Sequence, residues 1–458
     1  MLAKNQIVDL TISGMTAEGN GVGRYVDENG GNGIAVFVPF TAMGDRLRCH
    51  IVKVDKRSAY GKIEEVLSPS DDRLPQTDCP VFGKCGGCSY RHITYESELR
   101  YKWQRVADAL TRIGGLDIAP QPIVGCDSPD RYRNKGQYPV AVGEHRPLIG
   151  LYAARSHRVV EQHDCLLQPT VFKEVLDTVG RWVKKAGVPI YDEQTGNGLL
   201  RHIYIRSGAR SGETMVCLVC TSGKLPQTDW LIEQLKASVP LLASVMVNIN
   251  KKDTNVILGD TCFTLYGKDH IVDQLCGLNF RLSPLSFYQV NTEQAERLYT
   301  LAREAAGLTG RETLLDLYCG TGTIGLSMAA HARQLVGVEI VPQAVEDARR
   351  NAEDNHIKNA RFLAADAAQA ARQLEREGVH PDVAIIDPPR KGCDQALIDS
   401  LCRMAPSRIV YVSCDPATLA RDLSRFDTLG YTTESVTPVD MFPRTAHVES
   451  VARLCLKE

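Results

Sequence analysis

The apolar run RIVYVS reads as a strand and ends at Ser413-Cys414-Asp415-Pro416, and Ala417-Thr418-Leu419 reads as the start of a helix. A helix N-terminus favours a thiolate, and a thiolate is a nucleophile. Asp387-Pro388-Pro389-Arg390 follows a second apolar strand, VAIID. The two prolines hold the chain extended past the strand tip, where open sheets bind ligands. Enzymes that act on exocyclic amines place an aromatic after such a D-P-P, and Arg390 stands there instead. Glu449, in HVESVARL, is the candidate base to pair with the thiol.

A third strand, LLDL, runs into Tyr318-Cys319-Gly320-Thr321-Gly322-Thr323-Ile324-Gly325 and then a helix. Glycines at a strand-to-helix turn let a ligand approach the backbone. Glu339 ends the next strand, 19 residues after Gly320, where a carboxylate can accept from two ribose hydroxyls. GTGTIG also fits the dinucleotide fingerprint, so a nicotinamide oxidoreductase competes. Asp316, four residues before Gly320, favours a cationic sulfonium cofactor, S-adenosylmethionine, over a pyrophosphate.

Cys79, Cys85 and Cys88 are spaced C-x5-C-x2-C in a Gly/Pro-rich loop, and Cys165 is a possible fourth ligand. Four thiolates suit zinc or an iron–sulfur cluster, and spacing alone leaves both open. The loop has no apolar periodicity and needs a staple.

These groups need elements to hold them. From Thr292 onward helix and strand alternate, which predicts a parallel sheet covered on both faces. Residues 1–66 show short alternating runs (7–12, 34–38, 47–54, 62–66) between Gly-rich turns, GNGVG and NGGNG, and predict a small closed barrel. A helix is expected over 95–113, ended by Gly114-Gly115. Residues 120–280 read mainly as strands, NVILGDTCFTLYG among them.

Composition fits a globular, cytoplasmic protein: 43% apolar, 24% charged, no signal-like N-terminus and no apolar run of membrane length. With no targeting signal, the 15 cysteines read as reduced thiols. Net charge is −2, but residues 100–160 hold ten Lys or Arg against five Asp or Glu. That local excess is compatible with phosphate contact, through Arg131, Arg133 and Lys135 for example.

Taken in order, CP-x4-CGGC, FYQVN (287–291), LDLYCGTGTIGL, IDPPRKG, VSCDPATLARD and HVESV resemble the bacterial RNA uracil-C5 (5-methyluridine) methyltransferases. The cluster loop favours a resemblance to the 23S ribosomal RNA branch, which carries a TRAM domain and an iron–sulfur cluster. The resemblance implies an α/β Rossmann-like methyltransferase domain (281–458). Before it come an N-terminal OB-like barrel, the TRAM domain (1–66), and a mixed α+β central domain with the cluster loop (67–280). It implies Cys414 as nucleophile and Glu449 as proton acceptor. Gln289, Tyr318, Thr323, Glu339, Asp366 and Asp387 would contact S-adenosylmethionine. Cys79, Cys85, Cys88 and Cys165 would hold a [4Fe-4S] cluster.

The expected reaction is methyl transfer to carbon 5 of a uridine in 23S ribosomal RNA by a monomer, through a covalent bond from Cys414 to carbon 6. Phe287 is placed to stack on a flipped-out base. Asp415, where some relatives have Asn, adds a charge expected to raise the Cys414 pKa. The alternatives are the same reaction on transfer RNA, a non-catalytic RNA-binding protein and the nicotinamide oxidoreductase.

Overall fold

The computed structural model describes residues 2–26, 33–144 and 146–457. Residues 29–32 of the expected NGGNG turn lie outside them.

Five strands close a barrel: β1 (Ile7–Met15), β2 (Gly21–Tyr25), β3 (Ile34–Val38), β4 (Arg46–Val54) and β5 (Ser58–Ser68). Val8, Leu10 and Ile12 alternate inward from β1 and meet Leu47, Cys49 and Ile51. The sequence reading took GNGVG for a turn, yet it opens β2. Gly21 faces inward, and a Cβ there would stand 2.0 Å from Thr41 Oγ1. The glycine serves close packing in a strand, which a composition rule reads as a turn.

Residues 69–94 form the cysteine loop, followed by α1 (Tyr95–Arg112), capped by the Thr94 side chain on Ser97 N. The central sheet has order β12-β11-β10-β9-β6-β7-β8. Its strands are β6 (Lys135–Ala141), β7 (Leu148–Tyr152), β8 (Val159–Glu161), β9 (Leu200–Ser207), β10 (Thr214–Cys220), β11 (Leu242–Ile249) and β12 (Thr261–Gly267). Helices α2 (Val171–Ala186) and α3 (Thr228–Ser238) accompany it. Val216, Leu218 and Cys220 of β10 face those helices, while Met215, Cys217 and Val219 enter the core shared with the C-terminal part. Residues of alternate parity thus serve two cores, which is why every residue of β10 is buried. The run NVILGD, read as the beginning of a strand, is a loop; β12 starts only at Thr261.

A hairpin, β13 (Ile271–Leu275) and β14 (Leu278–Leu282), leads to α4 (Thr292–Ala306), capped by Asn291 on Gln294 N. The C-terminal sheet has order β17-β16-β15-β18-β19-β21-β20. Its strands are β15 (Thr313–Leu317), β16 (Gln334–Glu339), β17 (Ala360–Ala364), β18 (Val383–Ile386), β19 (Arg408–Ser413), β20 (Tyr431–Val439) and β21 (Glu449–Leu456). The first five are parallel, and β21 runs antiparallel between β19 and β20. Helices α5 (Thr323–Met328), α6 (Pro342–Asp354), α7 (Ala367–Arg376), α8 (Gln395–Met404) and α9 (Pro416–Thr428) connect the strands. This is a Rossmann-like open sheet whose chain reverses direction of travel between β15 and β18, the place where open α/β sheets take ligands.

Helix α1 packs on this sheet, with Val106, Ala109 and Leu110 in the same core as Leu419, Leu423 and Phe426 of α9. Its Lys102 is buried and donates to Glu98 Oε1 and Asp440 Oδ1, both at 2.6 Å, and to Phe442 O at 3.2 Å. Tyr95 donates to Asp440 Oδ2 at 2.7 Å, and Glu98 Oε1 accepts from Arg444 N at 2.7 Å. These bonds fix the 440–448 loop that delivers Glu449. No helix among the described residues is long and apolar enough to cross a membrane.

Breaking a buried ion pair strands a charge. Lys102→Met is expected to lower stability by about 3 kcal/mol or more, read as the shift of the denaturant midpoint; an unchanged midpoint would remove this network from the account.

Candidate active site

Five parallel strands end at one edge, and the candidate groups follow their tips. In the β19–β21 ladder Ser413 faces Ser450. One step further along the antiparallel register sets Cys414 opposite Glu449. The thiol of Cys414 is half-buried and pushed up to about 11, first by burial, then by the Glu449 and Asp387 charges, with Arg390 pulling it down. Glu449 is buried and pushed up to about 8 by burial and Asp387, with Arg390 again opposing. Burial raises Asp387 to about 7.

The sequence reading expected the α9 N-terminus to favour the Cys414 thiolate. Desolvation outweighs it. Asp415 is not the charge that matters either. Its Oδ1 caps α9 on Ala417 N and Thr418 N, and Oδ2 pairs with Arg105 Nη2 at 3.6 Å. A carboxylate spent on two backbone amides and a cation is largely neutralised toward its neighbour.

The glycine turn is braced from below. Asp316 is buried in β15, and its Oδ2 accepts from Gly325 N at 2.9 Å. Asp316 therefore supports the first turn of α5, where it had been expected to face a ligand. Its Oδ1 has no partner among the described residues, and burial pushes this carboxyl to about 8. Tyr318 sits at φ 65°, a left-handed conformation costly for a side chain, held between β15 and the turn. Glu339 Oε2 accepts from Gly320 N at 3.1 Å and Oε1 from Val341 N at 2.8 Å. Thr323 Oγ1 is 3.0 Å from the buried Tyr299 hydroxyl. Asp366 caps α7 through Oδ1, on Ala368 N and Gln369 N. Gln289 is anchored through its carbonyl, which accepts from Asn134 Nδ2 at 2.8 Å, and the neighbouring Phe287 is 63% exposed.

Several side chains around the site escaped the sequence reading. Arg390 entered it only as a residue that was not aromatic, yet its guanidinium is the cation felt by both Cys414 and Glu449. It also touches the His447 ring, at 3.4 Å from Nε2. The D-P-P-R string held that signal. By contrast, Arg131 is no free phosphate contact: it binds Asp164 Oδ1, Cys165 O and Gln168 O. Lys135 lies in β6, largely withdrawn from solvent, its pKa lowered to about 8 by burial and by Arg206 and Arg133.

Cys88 feels the charges of Cys165, Cys85 and Cys79, and Cys165 those of Cys85 and Cys79, so the four thiols are neighbours. Gly87 N donates to Cys85 Sγ at 3.2 Å. Among the described residues no three His, Cys, Asp or Glu groups converge on one ion position. The loop is tied to the site region by Ser89 N and Tyr90 N, both donating to Arg444 O.

Residues 266–457 match the family described as tRNA (Uracil-5-)-methyltransferase, and residues 3–63 match the TRAM domain. An RNA methyltransferase of Halalkalibacterium halodurans is 43% identical over 455 residues, 99% of this chain and 98% of that one. One of Clostridium tetani is 41% identical over 448 residues, 98% of this chain and 96% of its own. The chain belongs to the RNA uracil-5-methyltransferase family. It is an S-adenosylmethionine-dependent RNA methyltransferase, and the oxidoreductase and non-catalytic readings fall away. A solved structure, Pyrococcus abyssi tRNA (uracil-54, C5)-methyltransferase in complex with S-adenosyl-L-homocysteine, is 26% identical with a TM-score of 0.76. The match covers 98% of this chain and 100% of that one.

Asp316, Asp387 and Glu449 bind protons more tightly folded than unfolded, so between about pH 4 and 8 the native state holds more protons. Their contribution to stability is full below the unfolded carboxyl range and is lost as pH rises through about 7 to 8. The melting temperature of the free protein is expected to fall over that window, and Glu449→Gln to flatten the fall. Equal slopes in both proteins would contradict the burial of Glu449.

Proposed function

We propose that this chain methylates carbon 5 of a uridine in 23S ribosomal RNA, with Cys414 as nucleophile and Glu449 as base. The observation that carries this reading is the register that sets Cys414 opposite Glu449, both beside Asp387 and Arg390.

The acidic edge fits a cationic cofactor. Asp316 Oδ1 is an orphaned buried acceptor, and among the described residues none donates to the Asp387 carboxylate. Gln289, Tyr318, Thr323, Glu339, Asp366 and Asp387 would hold S-adenosylmethionine. When bound, S-adenosylmethionine supplies an electrophilic methyl group and a positive charge. That charge, with Arg390, favours the ionised forms of both Cys414 and Glu449.

Carbon 5 of uracil is too weak a nucleophile to take a methyl group unaided. The Cys414 thiolate forms a bond to carbon 6, and the electron pair moves to carbon 5 and O4 as an enolate. Carbon 5 would then take the methyl group as the methyl–sulfur bond breaks, its electron pair staying on the sulfur of the departing thioether. The Glu449 carboxylate then accepts the carbon 5 proton, the electron pair restores the ring double bond, and the sulfur–carbon bond breaks to return the thiolate. Phe287, exposed beside Gln289, is placed to stack on the flipped base.

Cys79, Cys85, Cys88 and Cys165, thiols that feel one another's charges, would hold a [4Fe-4S] cluster, one thiolate to each iron. This chain is proposed to act as a monomer in the cytoplasm, divided as 1–66, 67–280 and 281–458. The ribosomal substrate rests on the resemblance of the cluster loop to that branch. A second reading, transfer RNA, is favoured by the full-length likeness to the Pyrococcus abyssi enzyme.

Mapping 5-methyluridine in a deletion strain decides between them: loss from 23S RNA supports the first reading, and loss from transfer RNA alone overturns it. Glu449→Gln is expected to form the RNA adduct and release it about 10²–10⁴-fold more slowly; normal release would remove Glu449 as base. Anaerobically purified protein should hold about four irons per chain, and Cys165→Ser should lose them; zinc in their place would refute the cluster.

A further inference from the structure

A cavity of 620 Å³ lies in the central domain, against Gly86 and Gly87 of the cysteine loop and away from the glycine turn. A second cavity of 440 Å³ adjoins it, sharing Tyr152, His157 and His202 as common wall. The wall is built from planar groups. The Tyr152 and His157 rings stack with centroids 5.3 Å apart and planes 28° apart. The Arg201 guanidinium lies 4.4 Å over the Tyr191 ring.

Hydrogen bonds hold these planes still. Glu193 takes His157 Nδ1 at 2.6 Å and the Tyr152 hydroxyl at 3.3 Å. His202 Nε2 is 3.2 Å from the same hydroxyl. Arg201 Nη1 donates to Asn250 O and Lys252 O.

Two polar atoms on this wall are left over. Arg201 and His202 are each only 5% exposed. Arg201 Nε and His202 Nδ1 have no partner among the described residues. Burial lowers the His202 pKa to about 4, so its ring is neutral. If Tyr152 gives its proton to Glu193, His202 Nε2 carries the hydrogen and Nδ1 is an acceptor. Both atoms lie behind the stacking faces with almost no accessible surface, so the faces presented to the cavity are the rings.

A flat ligand that stacks on such rings and carries a phosphate is a nucleotide. Single-stranded RNA is read by stacking on aromatic and guanidinium planes and by hydrogen bonds to base edges. Arg155 lines the cavity mouth, exposed and without an ion pair among the described residues, in reach of a phosphate. We propose that this cavity captures one extruded nucleotide of the RNA substrate, distinct from the target uridine. It would hold the RNA on the central domain while the target enters the Cys414 site. The inference rests on RNA being the substrate and not on which RNA.

The test uses the full-length protein with in vitro transcribed 23S RNA and transfer RNA together. Ultraviolet crosslinking followed by peptide mass spectrometry should find residues 150–158 attached to a nucleotide other than the methylated one. His157→Ala and Arg155→Ala, both at exposed side chains, should raise KM for RNA about tenfold, within the range measured for one stacked base. They should change kcat less than about twofold and leave S-adenosylmethionine binding as it was. An absent crosslink to 150–158, or an unchanged KM in both variants, overturns the proposal. The crosslink is read without turnover. Its presence where neither RNA is methylated supports the pocket and counts against the proposed reaction alone.

Discussion

Burial of like charge at one sheet edge is the constraint from which the site follows. Asp316 and Glu449 are withdrawn from water and each feels the Asp387 charge, and the Cys414 thiol feels both Asp387 and Glu449. Arg390 offsets part of this at Cys414 and Glu449. Without a cationic ligand the edge keeps its protons and the thiol is a poor nucleophile. With one, the same desolvation strengthens every attraction in the site. In the proposed mechanism the arrangement would couple S-adenosylmethionine occupancy to the readiness of Cys414.

Such an edge is costly, so the surrounding structure must hold it closed. The β19–β21 ladder fixes Cys414 opposite Glu449, and the loop before Glu449 is held by Lys102, Glu98 and Asp440. That anchor sits on α1, which follows the cysteine loop in the chain but packs on the C-terminal sheet. The cysteine loop itself bonds to Arg444 O. A line of contacts therefore runs from the cysteine loop through 440–448 to Glu449 and the neighbouring Cys414. The central sheet adds its own tie, since alternate residues of β10 belong to the core of the C-terminal part.

Much of this was legible in the sequence because it depends on period and position. The helix–strand alternation after Thr292, the glycine turn and the order of the motifs each specify local geometry that context rarely overrides. What was not legible depends on neighbours distant in the chain. Gly21 reads as a turn until Thr41 is seen filling the space beside it. Asp316 reads as a ligand contact until Gly325 claims its oxygen. Arg131 reads as a phosphate contact until the 164–168 segment folds onto it. The thiol pKa was misjudged because the helix end is a local feature, whereas desolvation belongs to the whole fold. Lys102 sits in an ordinary charged helix sequence, and nothing local marks it as buried.

The covalent step is the centre of the account, and RNA carrying 5-fluorouridine tests it most directly. Fluorine at carbon 5 leaves no proton for Glu449 to remove, so the adduct cannot resolve. Incubation with S-adenosylmethionine should give a protein–RNA species that survives denaturation, with the methylated fluorouridine attached to the peptide containing Cys414. Absence of any such species, or its formation by Cys414→Ala, would contradict the account.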